Sequence, residues 1–434
     1  MPLTKTPSGP RRWRWVLSSG AALVLLLGAI YVSFASKKPP ATTIAIPETA
    51  DWVDFGSIFT EGSEGEWDRY LYGGFTGTAV KKDGIIYLYY QGANGYSEEF
   101  GTVTWRAIGV AASADGLNFT KHPANPLIEW FPHEYLEEGA VSAGAFVLDD
   151  MVHLVYGANT EQTIDLVNAD GRLATAPDAI HFNDQGIILN HTDPKVWASG
   201  DELFPVIAFE DNGRYFIYYI PNGVIQRGQL GVAWGSDLAQ LQTAAARSNL
   251  LPVKVWGMGG YARVGDNAYA LFLNDVRAAR TDVYLVDLNT PHNLGAVRQT
   301  YQFDDYAQAT ILLDEERRTW FMYYRGAAAG GYGVKLAPMG APDQTPPTQP
   351  TAVQVTCTAN QLTLHWTVAT DPDTGVAVYQ IRRNGELIET VIGAQFVTAL
   401  EDETAMYTIT AVNYHNTPGQ PSQPISIGEG FDCP

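Results

Sequence analysis

The sequence predicts an all-β protein: a five-bladed β-propeller followed by a small β-sandwich, behind an N-terminal transmembrane or signal helix. Three observations carry that expectation. A strand, a tight turn and a tyrosine-rich strand recur five times over about 51–339. Alternating apolar runs separated by turn residues fill about 351–434. A largely apolar run, Val16 to Ala35, stands between basic flanks.

Composition agrees with strands. The chain has 434 residues, enough for two or three domains, and 46% are apolar, so a large core can be buried. Its 42 glycines and 23 tyrosines, with many Val, Ile and Thr, favour strands and turns over helices. The net charge of −20 argues against nucleic acid and anionic membrane surfaces as partners, because phosphates are repelled.

Residues 1–36 are expected to lie outside the fold. Arg11, Arg12 and Arg14 precede the apolar run, and Lys37 and Lys38 follow it. About twenty apolar residues cross a bilayer as a helix. Ser33-Phe34-Ala35 also offers the small residues that a signal peptidase needs. The run exceeds an ordinary signal-peptide core, which favours an uncleaved anchor over a cleaved, secreted form. Both readings put the rest of the chain outside the cytoplasm, with the arginine-rich end inside. Residues 37–50 are a Pro/Thr-rich spacer, and 340–350, "GAPDQTPPTQP", a second Pro-rich linker.

In the C-terminal region, "QLTLHWTV", "VAVYQIRRNGEL", "AQFVTAL" and "AMYTITAVNYH" are period-2 runs, which indicates a β-sandwich. With Trp366 in an early strand, Tyr379, Leu400 followed by Tyr407, and Asn413 before "NTPGQPS", it resembles a fibronectin type III domain. Such a domain is a spacer or adhesion module. Cys357 and Cys433 are the only cysteines, and an oxidising compartment would allow them to pair. Two free thiols are the alternative.

The repeat reads as follows. "GTAVKKDGIIYLYYQGA" (77–93) is matched at 143–158, 205–223, 261–275 and 309–327. Each copy leads to a further strand, the first being "AIGVAASADGLNF". A spacing of about 50–65 residues with several strands per copy indicates a propeller, in which stacking covers faces that one blade cannot bury. "WVDFGSIF" (52–59) is expected to complete the fifth blade and close the ring. These blades, with Ser113 to Phe119 reading "SADGLNF", resemble the five-bladed glycosidase propellers, including glycoside hydrolase families 43, 32, 117 and 130.

A site in such a ring is built from equivalent positions in different blades. Aligning Gly84, Asp149, Gly213 and Asn267 and counting back eleven residues gives Gly73, Glu138, Glu202 and Trp256. Glu138 and Glu202 are therefore expected to form a carboxylate pair, and glycoside cleavage needs two such groups. Asp68 in "EWDRY" is the third expected catalytic residue, and the resemblance implies a base or nucleophile there. Asp201 and Asp305 are weaker choices. Trp67, Tyr70, Trp130, Trp197 and Trp256 could stack on a sugar ring, and Arg69 and Arg325 could bind its hydroxyls. Each of these aromatics could equally be packing between blades.

The sequence departs from the family pattern in two places. The blade-four glutamate of families 43 and 32 is missing from "VKVWGMGGYARVGDNAYALF" (253–272), and "DELFPV" (201–206) replaces an R-D-P motif. No nucleotide-binding or zinc-spaced motif occurs, so no metal or cofactor is expected. The expectation is an extracytoplasmic, membrane-tethered glycosidase with a carbohydrate partner. The alternative is a non-catalytic glycan-binding or scaffolding propeller.

Overall fold

The computed structural model describes residues 43–71, 77–97, 102–129, 140–159, 169–200, 202–221, 229–248, 259–275, 278–303, 308–326, 330–359, 361–400 and 404–427. The expected anchor (1–36), Trp130, Glu138, Asp201, Trp256, Asp305 and Cys433 lie outside the described residues. The named elements among the described residues are strands and one three-residue 3-10 turn, Thr49–Asp51. No described helix is long and apolar enough to cross a membrane.

Strands are numbered in chain order. β1 (Val53–Thr60) is followed by a first unit of β2 (Thr78–Lys82), β3 (Ile85–Ser97), β4 (Thr102–Ser113) and β5 (Thr120–Lys121), with β6 (Ile128–Glu129) also on β4. The second unit is β7 (Ala140–Leu148), β8 (Met151–Asn159), β9 (Ala169–Ala176) and β10 (Asn183–Leu189). The third is β11 (Leu203–Asp211), β12 (Arg214–Pro221), β13 (Leu230–Gly235) and β14 (Gln242–Ser248). The fourth is β15 (Gly260–Gly265), β16 (Ala268–Asp275), β17 (Arg280–Asp287) and β18 (Asn293–Gln302). The last is β19 (Gln308–Asp314), β20 (Thr319–Gly326) and β21 (Gly331–Pro338), and β1 pairs antiparallel with β21 as its fourth strand.

Local chemistry sets the repeat. The first two strands of the first three units are joined by two-residue turns with both residues at positive φ: Asp83-Gly84, Asp149-Asp150 and Asn212-Gly213. Such turns match the natural twist of a hairpin. The turn after the third strand carries an aspartate in four units. Asp115, Asp178, Asp237 and Asp287 each accept the backbone N–H two residues on, at 2.8–3.0 Å. These are Asx turns, which reverse the chain at low cost.

Neighbouring first strands touch in sequence. Thr78 Oγ1 accepts from Ala145 N–H at 3.3 Å, joining units one and two. A Cβ on Gly144 would stand 2.4 Å from Ala208 N, and one on Gly260 the same distance from Ile311 N, so only glycine admits these contacts. Phe209 and Tyr269 stack at 4.4 Å between units three and four. Lys81 of unit one binds both Asp314 oxygens of unit five at 2.9 Å. The contacts close a ring, and the fold is β-propeller-like.

The ring has two unlike ends. At the turn end, Lys82–Asp150, Arg263–Asp211 and Lys81–Asp314 bridge adjacent units. Tyr261 of unit four donates to the Ala145 carbonyl of unit two at 3.2 Å. A cavity of about 270 Å³ opens here, lined by Lys81, Val147, Tyr261, Arg263, Leu313 and Glu315. Its cations are already bound to carboxylates. Residues 43–52 are not a free spacer at their described end: Ile44 N–H bonds the Val264 carbonyl, and Tyr301 OH the Pro47 carbonyl.

The C-terminal region forms two sheets. One has the order β22 (Thr351–Thr358), β23 (Gln361–Thr367), β26 (Gln395–Ala399). The other runs β25 (Glu386–Val391), β24 (Val376–Arg383), β27 (Ala405–Asn413), β28 (Ile425–Ile427). Leu362, Leu364, Trp366, Tyr379, Ile381, Tyr407 and Ile409 make their common core. Alternation explains it, because these residues recur at every second position. Cys357 is disulfide-bonded. The 340–350 stretch lies along these sheets, with Thr348 N–H on the Thr370 carbonyl.

Ring closure leans on Asp314, whose side chain is 1% exposed. Burial alone would raise its pKa, but hydrogen bonds from Lys81 and Arg317 outweigh that and hold it below the ordinary 3.8. The carboxylate therefore stabilises the fold above about pH 4, and that contribution is lost as pH falls through the lowered value. We expect Asp314→Asn to cost about 3 kcal/mol in chemical denaturation at neutral pH, as broken buried ion pairs do. A cost below about 0.5 kcal/mol, the range of ordinary surface changes, would contradict this role.

Candidate functional site

The other end of the ring carries the longer connections. First strands begin there, second strands end there and third strands begin there. Each unit brings buried polar groups to it. Gln91 lies in β3 two residues past its pairing with β2, Asp170 is the second residue of β9, Glu202 precedes β11, Asn274 lies late in β16, and Gln308 opens β19. All are at most 2% exposed. Several have defined tasks. Asn274 donates to the Ala309 carbonyl at 3.0 Å and accepts from Thr281 Oγ1 at 2.5 Å, fixing unit four to unit five. Asp170 Oδ1 accepts from both His191 N–H and His191 Nδ1, at 2.7 and 2.8 Å.

Glu202 is the predicted catalytic residue that the structure sets at the start of a first strand. The segment leading to it is well anchored. Gly200 N–H donates to the His191 carbonyl at 2.7 Å, and Phe204, two residues beyond Glu202, packs on Ala169. The Asp170–His191 pair thus holds the turn from which Glu202 is delivered.

The predicted equivalence of Glu138 with Glu202 needs correction. In unit two the turn is Asp149-Asp150, with Leu148 opposite Met151, so Asp150 is the partner of Gly84 and Gly213. Counting from Asp150 gives residue 139, a glycine, as the equivalent of Glu202. One residue of slip inverts the side of the strand on which a side chain emerges. Glu138 itself is outside the described residues.

Asp68, the expected base or nucleophile, is enclosed by neighbouring groups. It is 2% exposed. Its Oδ2 receives Lys121 Nζ at 2.6 Å and Tyr90 OH at 3.0 Å. A Cβ on Gly62 would sit 2.3 Å from its Oδ1, and one on Gly92 would sit 2.6 Å from its Cβ. The carboxylate is enclosed beside β3 and faces β5, an outer strand. Burial, then the Asp68 charge, pushes the Tyr90 hydroxyl well above its ordinary range, so it stays a donor.

The predicted sugar-binding residues divide. Trp67 packs where a side chain on Gly92 or Gly109 would strike its ring, and lies 5.4 Å from Tyr90. Trp197 packs in the same way over Gly231 and Tyr219. Both fill space between strands. Arg69 pairs with exposed Glu64 at 3.1 Å and lies over Tyr70, a contact worth little in water. Arg325, late in β20, pairs with Glu61 at 3.6 Å, and its buried Nε has no hydrogen-bond partner among the described residues. Sequence reading missed Gln91, Asp170, Asn274 and Gln308. Each is a polar residue in a strand that is otherwise largely apolar, and only the topology gathers them. Among the described residues no group of three or more His, Cys, Asp or Glu is placed to hold a metal ion.

In sequence, the chain is similar to the sucrose-6-phosphate hydrolase of Escherichia coli, 27% identical over 191 residues. That match spans 41% of this chain and 36% of that enzyme, so the chain covers little more than a third of its relative's length. No known family's sequence profile matches the chain. In structure, it is similar to a Parabacteroides distasonis protein described as a candidate glycoside hydrolase, with TM-score 0.48 and 16% identity over 67% of this chain and 98% of that one. It is also similar to a glycosyl hydrolase from Bacteroides ovatus (0.44, 17%, 64% and 86%) and to the GH43_1 enzyme of Xanthomonas citri solved with xylotriose (0.44, 11%, 62% and 88%).

The Asp68–Lys121 pair has a direct check. Asp68→Asn and Lys121→Met should each destabilise the fold by about 3 kcal/mol. The double variant should cost clearly less than the sum, because each single change strands a buried charge. Additive costs in denaturant titrations would show that the two groups do not act together.

Proposed function

We propose that this protein is an extracytoplasmic carbohydrate-active protein, a five-bladed β-propeller carrying a fibronectin type III-like module, that binds and hydrolyses a glycoside at the loop end of its ring. The observation that carries the reading is Glu202, a buried carboxylate at the start of a first strand, at the end where five units gather polar side chains. Likeness to sucrose-6-phosphate hydrolase supports the substrate class. The three-plus-four strand order of the C-terminal sheets supports the module. The apolar run at 16–35 supports a membrane tether and a place outside the cytoplasm.

Glu202 is given the role of acid or base at the scissile bond, with Arg325 on a hydroxyl or anionic substituent. The Arg325 side chain is 21% exposed, so its guanidinium can offer an N–H to a ligand oxygen. Asp68 serves to hold the chain that leads into the first unit. The second carboxylate that hydrolysis requires would come from the loops outside the described residues, which include Glu138.

A second reading follows from Asp68. Its charge is already matched by Lys121, so among the described residues Glu202 is the one predicted catalytic carboxylate that opens a first strand. On this reading the ring binds glycans without cleaving them.

One panel separates the two. Sucrose, sucrose 6-phosphate, and arabino-, xylo-, fructo- and mannosides are offered to the full chain, scoring both turnover and binding. The hydrolase reading expects turnover of at least one glycoside, and Glu202→Gln to lower kcat by about 10²–10⁴ while binding persists. Binding without turnover establishes the second reading. Neither binding nor turnover on the panel removes the carbohydrate assignment.

A further inference from the structure

The C-terminal sheets are seated on the ring through a histidine. Tyr414 and His415 follow β27. Tyr414 OH donates to the Asp115 carbonyl of unit one at 2.7 Å, and its ring meets Phe321 of unit five at 6.0 Å. Ala377, Val378, Val412 and Tyr414 share one buried apolar cluster with Leu117, Phe119, Phe321 and Tyr323 of the ring. At the edge of this cluster His415 is 8% exposed. Its Nδ1 lies 2.7 Å from Asp343 N–H, and its Nε2 lies 2.9 Å from the Arg318 carbonyl.

Those two contacts fix one form of the ring. Asp343 N–H can only donate, so Nδ1 must carry a lone pair. The Arg318 carbonyl can only accept, so Nε2 must carry the proton. Imidazolium has protons on both nitrogens and cannot keep the Asp343 bond. Protonation would also put a charge where water is excluded.

We propose that His415 makes the seating of the C-terminal sheets on the ring pH-dependent, firm while the imidazole is neutral and loosened by acid. The surroundings set the direction. Facing His415 are Arg318 of the β19–β20 hairpin, Asp343 of the linker and Asp371 of the β23–β24 connection. Arg317 lies over the Tyr414 ring, and Asp115 lies beyond it. The carboxylates favour a cationic imidazole and Arg318 opposes it. Burial is the largest influence, and it lowers the His415 pKa below the ordinary 6.5 despite the bond to Arg318 and the charge of Asp343. The released state therefore takes up a proton first, and seating weakens as pH falls through 6.5 toward the lowered value. Asp343 is not the sensor in that window. Burial would raise its carboxyl, but bonds from Thr345 and Thr374 keep it below 3.8.

The test is hydrogen exchange read by mass spectrometry on the full chain, in peptides covering 338–350 and 411–419. Protection is compared at about pH 7.5 and about pH 5, after correction for intrinsic rates, where a shifted imidazole changes its charge. Wild-type protection should fall several-fold in acid, the direction set by a pKa lowered from 6.5. His415→Gln keeps one acceptor and one donor but cannot be charged, so its protection should change little with pH. Tyr414→Phe should loosen the joint at both pH values and retain the pH dependence. Flat wild-type protection would overturn the proposal even if the glutamine variant failed to fold. So would full pH dependence in a folded His415→Gln protein.

Discussion

The fold depends on the pairing of β1 with β21. The last unit supplies three strands of its own, and its outer edge would otherwise expose unpaired backbone groups. β1 covers that edge and brings Phe59 with it. Phe59 lies 4.9 Å from Tyr332, 5.0 Å from Tyr90 and 6.4 Å from Phe119, so one side chain joins the last unit to the first. Asp68 and Lys121 form their enclosed pair beside this wedge. The early chain is thus a structural element of the ring's far end. A ring closed by a strand from the opposite terminus cannot open at one unit without disturbing its neighbours.

Closure also assigns different tasks to the two ends. At the turn end, charges are used up in bridges between units, and Tyr261 reaches across from unit four to unit two. The cavity there contains no uncommitted cation. At the loop end, polar side chains are buried near strand ends, and Asn274 bonds across to the Ala309 carbonyl of the next unit. Glu202 and Arg325 stand at strand ends of the same side. The C-terminal sheets sit against the turns of units one and five, through Asp115 and Arg318.

The repeat was legible because its chemistry is local. Asp-Gly and Asn-Gly turns, tyrosine-rich second strands and Asx aspartates can all be read within a few residues, and they gave the strands, the ring and the closing role of residues 52–59. The site was less legible because its geometry is not local. The turn at Asp149-Asp150 contains no glycine, so the alignment there slipped by one residue and paired Glu138 with Glu202. The pairing of Asp68 was not legible because its partner, Lys121, lies beyond three intervening strands. Its enclosure depends on glycines at 62 and 92, whose small size conveys nothing until the strands are packed. Arg325 was found, but its unsatisfied Nε is a property of burial and not of sequence.

The central claim is that a carbohydrate binds at the loop end of the ring, against Glu202. A crystal structure of the chain soaked with a glycoside that it binds tests this most directly. The account predicts sugar density between the starts of the first strands, with an oxygen within hydrogen-bond reach of Glu202, about 2.6–3.2 Å, and another on Arg325. Sugar bound elsewhere on the ring or on the C-terminal sheets, with Glu202 untouched, would contradict it.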